Sequence, residues 1–361
     1  MKKRKSCYSG IGGQAVLEGI MMKNNTRYAV AVRKPDGSIG VETGEYAGIL
    51  GDKKFTKFPF IRGIFSFVDS LRLGTRCLNY SASFYEEEGE ETQADKVLNK
   101  VFKEKAESVL MALTTVIAVA LAVGLFMVLP YFISDFLKGF VRNASLLAII
   151  EGVIRILIFV LYVLLISLMK DIRRVYMYHG AEHKCINCIE RGRELTVENV
   201  MRSSKQHRRC GTSFLLFVML VSVVLFFFIR VDNVALKVLL RIALIPVIAG
   251  IAYEIIRLAG RSDNWLVRVI SAPGLWLQGL TTKEPDEGMV EVAIKAVEAV
   301  FDWRSYLREN FGYEQGEEEE TVREAETVRE AEAETARPQE TESFEAEDEE
   351  ELFFIGSGEV D

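Results

Sequence analysis

SVLMALTTVIAVALAVGLFMVLPYFIS, residues 108–134, contains no charged side chain. The stretch TSFLLFVMLVSVVLFFFI, residues 212–229, is also uncharged. A helix of about 17–25 mainly apolar residues can cross the hydrocarbon core of a bilayer, so we predict that both stretches span a membrane. Residues 145–169 and 233–256 are long enough as well, although they contain charged residues. The sequence therefore predicts a mainly α membrane protein with about four transmembrane helices.

The charged residues of the last two runs are placed where they can neutralise one another. Glu151 and Arg155 lie one helical turn apart, a spacing at which side chains meet. Arg241 lies at a similar depth when residues are counted from the same end of the bundle, so Glu151 can bridge both arginines. We interpret these charges as ion pairs that hold helices together, because no repeat or pair of broken helices indicates a transport path.

The charge distribution predicts the orientation of the membrane domain. Residues 170–212 contain ten Lys or Arg, whereas residues 135–144 contain two. Positive loops remain on the cytosolic side, so this loop and both termini are expected in the cytosol. The basic amino terminus is followed by polar, glycine-rich sequence and so does not form a secretory signal. The expected surroundings are the lipid bilayer, and no nucleic-acid partner is predicted.

The 170–212 loop contains YHGAEHKCINC at 178–188 and holds all three histidines of the chain. On a helix, His179 and His183 share one face with Glu182 beside them. This order reverses the zinc-protease motif, in which two histidines hold the metal and the glutamate acts as general base. Cys210 or His207 can supply a third ligand of a kind that zinc favours. This pattern predicts a metal-dependent hydrolase acting at the cytosolic membrane surface, with Glu182 as the catalytic residue.

The same loop also allows a closed structural zinc site. Cys185 and Cys188 are followed by the His207 and Cys210 pair, with the paired spacing of such sites. The chain would then be a non-enzymatic membrane scaffold or an accessory factor in protein or envelope biogenesis. A cytosolic location favours metal binding over disulfide formation in either case. The predicted ligands are His179, His183, His207 and Cys210, with Cys185 and Cys188 as further candidates.

The remaining sequence divides into segments of different composition. Residues 10–23 are rich in glycine but lack the Gly-Lys-Ser/Thr of a phosphate loop, so a tight structural loop is expected there. Residues 27–43 alternate apolar side chains around a turn and predict a β-hairpin in a small cytosolic α+β unit. The expected organisation is a glycine-rich and β-hairpin segment at 1–52, an amphipathic interfacial helix at 53–85, an acidic linker and helix start at 86–107, a membrane domain at 108–256, interfacial and amphipathic cytosolic helices at 257–312, and a tail at 313–361.

The tail is strongly acidic. Residues 314–361 contain twenty Asp or Glu and three Arg, and such a composition buries too little apolar surface to fold. We predict that the tail is disordered. Leu352, Phe353, Phe354 and Ile355 form an apolar group after the acidic run, and they can either dock on a protein partner or accompany a tail that only solubilises the chain.

Four stretches resemble the YqhQ-like family of bacterial membrane proteins of unknown function. They are Gly12–Gly19 with Met21 and Met22, His179–Lys184, Arg209–Phe214, and Pro273–Gln278 with Thr281 and Thr282. They span roughly residues 10 to 300, and the tail lies outside them. The resemblance implies a location in the bacterial cytoplasmic membrane. It also implies metal-dependent chemistry at His179, Glu182 and His183.

Overall fold

A computed structural model describes residues 6–49, 51, 58–85, 113–229, 231, 233–259 and 264–313. The strands are β1 Ile11–Val16, β2 Gly19–Asn24, β3 Arg27–Arg33 and β4 Ile39–Glu45. The helices are α1 Ile61–Ala82, α2 Leu113–Gly139, α3 Ala144–Ile166, α4 Lys170–Glu190, α5 Val197–Met201, α6 Gly211–Phe227, α7 Val234–Ala243, α8 Ile245–Ala259, α9 Trp265–Thr281, α10 Glu287–Glu298 and α11 Trp303–Phe311. The predominance of helices is confirmed. The expected acidic linker, and the acidic tail from residue 314 onward, lie outside the described residues.

Two helices are long and apolar enough to cross a membrane, and these are α2 and α3. α7 and α8 meet at a bend of 40° and make a third candidate if the pair is one span. α6 is apolar but only 17 residues long. The described residues thus contain two or three candidate spans. The prediction of four spans is confirmed only to that extent.

The four strands form one antiparallel sheet in the order β1-β2-β3-β4. The predicted hairpin is confirmed, because β3 pairs with β4 in a register that sets Val30 opposite Glu42. The prediction of a tight loop at residues 10–23 is wrong, since this segment forms the hairpin of β1 and β2. Ile20 and Met22 are fully buried, so burial in the core outweighs the weak strand preference of the neighbouring glycines.

α1 contacts the sheet at one end and the apolar helices at the other. Leu73 and Cys77 lie in a buried cluster with Val16, Val30 and other side chains of the sheet. Near the start of α1, Gly63 lies against α8, where an added Cβ would come within 2.7 Å of Tyr253 Cβ. α1 therefore packs on the sheet through Leu73 and Cys77.

The helix that carries the histidines, α4, packs against β1 and β2 on one side and against α10 on another. α10 buries Val290, Ala293 and Val297, which are apolar residues of the predicted amphipathic helix. α10 also contacts β2 and β3 of the sheet. α4 is consequently fixed between a sheet and a helix, so its side chains are held in a rigid setting.

The predicted pairing of the charges in the apolar helices is confirmed. Arg155 Nη2 lies 2.8 Å from Glu151 Oε1, and Arg241 Nη1 lies 2.7 Å from the same oxygen. Glu151 therefore joins α3 to α7. All three side chains are buried.

Candidate metal centre

α4 brings three of the predicted site residues onto one buried surface. From Tyr178 to Glu190 every residue is buried except His179, which is half-buried. The imidazole centroids of His179 and His183 are 4.4 Å apart, as expected for residues one turn apart on a helix. Glu182 lies between them in sequence and faces β1, where an added Cβ on Gly13 would come within 3.0 Å of its carboxyl carbon.

Backbone carbonyl groups fix the orientation of both imidazoles. His179 Nδ1 donates to Thr281 O at 3.0 Å, and His183 Nδ1 donates to Lys205 O at 2.8 Å. Each Nε2 is thereby left to face the interior of the site. Metal-binding histidines are commonly held in this way, with one nitrogen on the ion and the other bonded to an oxygen acceptor.

Cys210 supplies the third side chain from the residue before α6. Its Sγ lies 3.1 Å from His179 Nε2 and 3.0 Å from Thr212 Oγ1. One ligand atom from each of His179, His183 and Cys210 lies within 4.8 Å of the other two. The structure therefore brings together two residues of α4 and one that follows the second of them by 27 positions.

Charge separation accompanies this arrangement. Burial raises the pKa of Cys210, but the nearby His179 and His183 outweigh it, and the pKa of this thiol lies well below its ordinary value. Burial lowers the pKa of His179, whereas Cys210 raises it, to about 9 overall. A thiolate is the form of cysteine that binds metals. The site is thus poised to present sulfur as a ligand.

The pKa of Glu182 shifts in the direction opposite to that of Cys210. Burial raises the pKa of its carboxyl group above the ordinary value, although His183 and His179 and a backbone hydrogen bond from Gly13 act against this. A carboxylate with a raised pKa is a stronger base than an ordinary one, which suits the role of general base.

The other predicted ligands lie outside this group, and His207 and Cys188 bond to other groups of the protein. His207 Nε2 is 3.3 Å from Glu190 Oε2, and its Nδ1 accepts from the backbone of Arg209 at 3.4 Å. Cys188 Sγ donates to Glu194 O at 3.2 Å. Burial raises the pKa of Cys185 well above its usual value, and that of Cys188 to about 11, so both remain protonated thiols.

Sequence reasoning did not identify the residues of α9 that hold the site in place. Gln278 is fully buried, accepts from His207 N and donates to His207 O and Ser213 Oγ. Thr281 provides the carbonyl that orients His179. The only signal for either residue was its position in the stretches that carry the family resemblance.

The donor set agrees with a metal such as zinc. Two imidazole nitrogens and one thiolate sulfur are ligands that zinc accepts, and three protein ligands with a fourth position left open are typical of catalytic zinc sites. Oxygen-seeking ions such as Mg²⁺ and Ca²⁺ are a poor match to this set.

Comparison with known proteins gives a family without an assigned activity. Residues 58–303 match the model of the family described as "Protein of unknown function (DUF1385)". The chain is 36% identical over 292 residues to the "Uncharacterized protein YqhQ" of Bacillus subtilis (strain 168), an alignment that covers 79% of this chain and 90% of that protein. No solved structure matches. The chain therefore belongs to the DUF1385 family, together with YqhQ-like proteins.

Proposed function

We propose that this chain is a membrane protein of the bacterial cytoplasmic membrane that binds zinc through His179, His183 and Cys210 and acts as a hydrolase at the cytosolic surface. One observation carries the proposal: both Nδ1 atoms are hydrogen-bonded to backbone carbonyls, which leaves the Nε2 atoms on the side of Cys210 Sγ, 3.1 Å away in the case of His179. The apolar helices α2 and α3 support the location in a membrane.

The side chains have distinct roles in such a reaction. Zinc held by His179, His183 and Cys210 would supply Lewis acidity, which would polarise a carbonyl group and make water more acidic. Glu182 takes a proton from the attacking water and returns it to the leaving group, which its raised pKa permits. Thr281 O and Lys205 O hold the imidazoles in place. The burial of Glu182 and His183 limits the access of bulk water.

The test is metal analysis of the purified full-length protein and its variants. We expect about one zinc per chain, because the three ligands define one site. His183→Asn and Cys210→Ser should each lose most of this zinc. Cys188→Ser is the matched control, since Cys188 bonds a backbone carbonyl and lies outside the ligand group. Protein without stoichiometric metal would refute the proposal.

Glu182→Gln separates the hydrolase from a second candidate. The close burial of the group also favours a structural zinc site in a membrane scaffold, in which Glu182 has no catalytic role. If Glu182 is the base, the Gln variant should retain zinc and fail to complement a deletion strain. If the zinc is structural, the Gln variant should complement the strain, whereas Cys210→Ser should lose zinc together with thermal stability.

A further inference from the structure

A second cluster of charged residues lies at the opposite end of the apolar helices from the metal centre. Cys210 precedes α6, whereas Phe226 lies near its end, so roughly 23 Å of helix separates them at 1.5 Å per residue. The guanidinium groups of Arg155 and Arg241 lie 4.9 and 5.0 Å from the centre of the Phe226 ring. Glu151 joins them from α3.

Among the described residues, the charges of Glu151, Arg155 and Arg241 do not balance. Two arginines share one carboxylate oxygen. Arg155 has a further acceptor, Phe126 O, at 2.9 Å from its Nε. Arg241 Nε, in contrast, is buried and has no hydrogen-bond partner among the described residues. One surplus positive charge therefore lies among apolar helices, and an unbalanced charge in such surroundings is costly.

A basic side chain leads from this cluster toward the helix end. Lys237 lies one turn before Arg241 on α7, and its Nζ is 5.1 Å from the centre of the Tyr131 ring. Arg241 lies 6.0 Å from the same ring. Lys237 is half-buried whereas Arg241 is buried, so the two form a path of positive charge from the edge of the bundle inward.

We propose that Arg241, together with Lys237 nearer the helix end, binds the phosphate group of an anionic membrane lipid. A phosphate diester carries one negative charge, which equals the surplus of the two arginines over Glu151. Its oxygens suit the donor groups of arginine. Basic sites between membrane helices bind lipid headgroups by the same chemistry. The occupant is a lipid because Lys237 is close to a helix end and is flanked by exposed apolar side chains such as Leu236 and Leu239.

The test uses the full-length protein in detergent and follows its thermal unfolding with added phosphatidylglycerol, phosphatidylcholine or inorganic phosphate. Phosphatidylglycerol should raise Tm by about 2 °C or more relative to phosphatidylcholine, since a ligand of the folded state stabilises it. Arg241→Leu leaves the neutral pair of Glu151 and Arg155 and should abolish this difference. Glu151→Gln retains both arginines and should preserve it.

Arg202→Leu is the control for overall charge, because it removes one positive charge from an exposed position on another part of the protein. It should leave the lipid effect unchanged. An equal effect in the Arg241→Leu and parent proteins would overturn the proposal, and so would an Arg241-dependent shift caused by inorganic phosphate alone. If Arg241→Leu does not fold, the Arg241→Lys protein is purified instead and its bound lipid is identified by mass spectrometry. This variant should retain phosphatidylglycerol. Loss of lipid selectivity in the variant, or an absence of anionic lipid from the parent protein, would refute the site.

Discussion

Gln278 shows how a single side chain far from the ligands in sequence can set their geometry. Its amide bonds the backbone of His207 and the hydroxyl of Ser213, which lie three residues before and three residues after Cys210. We therefore expect Gln278→Met to move Cys210 away from the two histidines and to lower metal affinity about 10- to 100-fold, the usual effect of losing an outer-shell partner.

Cobalt substitution measures this effect directly, because a thiolate ligand on Co²⁺ gives a charge-transfer band. The band should weaken in Gln278→Met relative to the ligand-field bands. Gln206→Met is the matched control, since Gln206 is next to His207 but has an exposed side chain. An unchanged band in Gln278→Met would reject the positioning role, whereas the absence of the band from the parent protein would reject the metal site itself.

At the scale of elements, α4 depends on a close contact with the chain that follows α9. Lys283 N donates to Tyr176 O at 2.9 Å, and an added Cβ on Gly180 would come within 2.0 Å of Lys283 O. A backbone atom cannot move aside as a side chain can. We expect Gly180→Ala to cost about 1–3 kcal/mol and to lower Tm.

Gly279→Ala is the control for this change, because an added Cβ there meets nothing within 4 Å. Alanine in a helix interior is favoured over glycine by up to about 1 kcal/mol, so this variant should be as stable as the parent or more so. A Gly180→Ala protein with unchanged Tm would show that the contact between α4 and Lys283 is not required.

The elements differ in how far the sequence predicts them. α2 and α3 follow from long apolar runs, and the pairing of Glu151 with Arg155 follows from helical spacing. β1 and β2 were missed because Gly12, Gly13 and Gly19 lower strand propensity, and only their packing against other elements makes them strands. In the site, the spacing of His179 and His183 was informative. The sequence did not indicate that Cys210 approaches these histidines, because this approach depends on a long loop and on Gln278.

On the scale of the whole molecule, the chain joins a basic, apolar body to an acidic tail. Residues 314–361 contain twenty Asp or Glu and three Arg. A tail that acts only through charge should bind basic surfaces with a strength that falls as salt rises, since exposed charges are screened beyond about 8 Å at physiological ionic strength. A tail that docks through Leu352–Ile355 should instead depend on its apolar side chains.

Exchange of Phe353 and Phe354 for alanine in the full-length protein separates these two modes of action. If the aromatic side chains are anchors, the double variant should lose most of its partner binding, as the loss of a buried aromatic anchor costs about 2 kcal/mol or more. The matched variant changes several tail glutamates to glutamine and leaves both phenylalanines in place. Pull-downs at low and high salt compare the two. Binding that survives the aromatic exchange but disappears with the glutamates would assign the tail a purely electrostatic role.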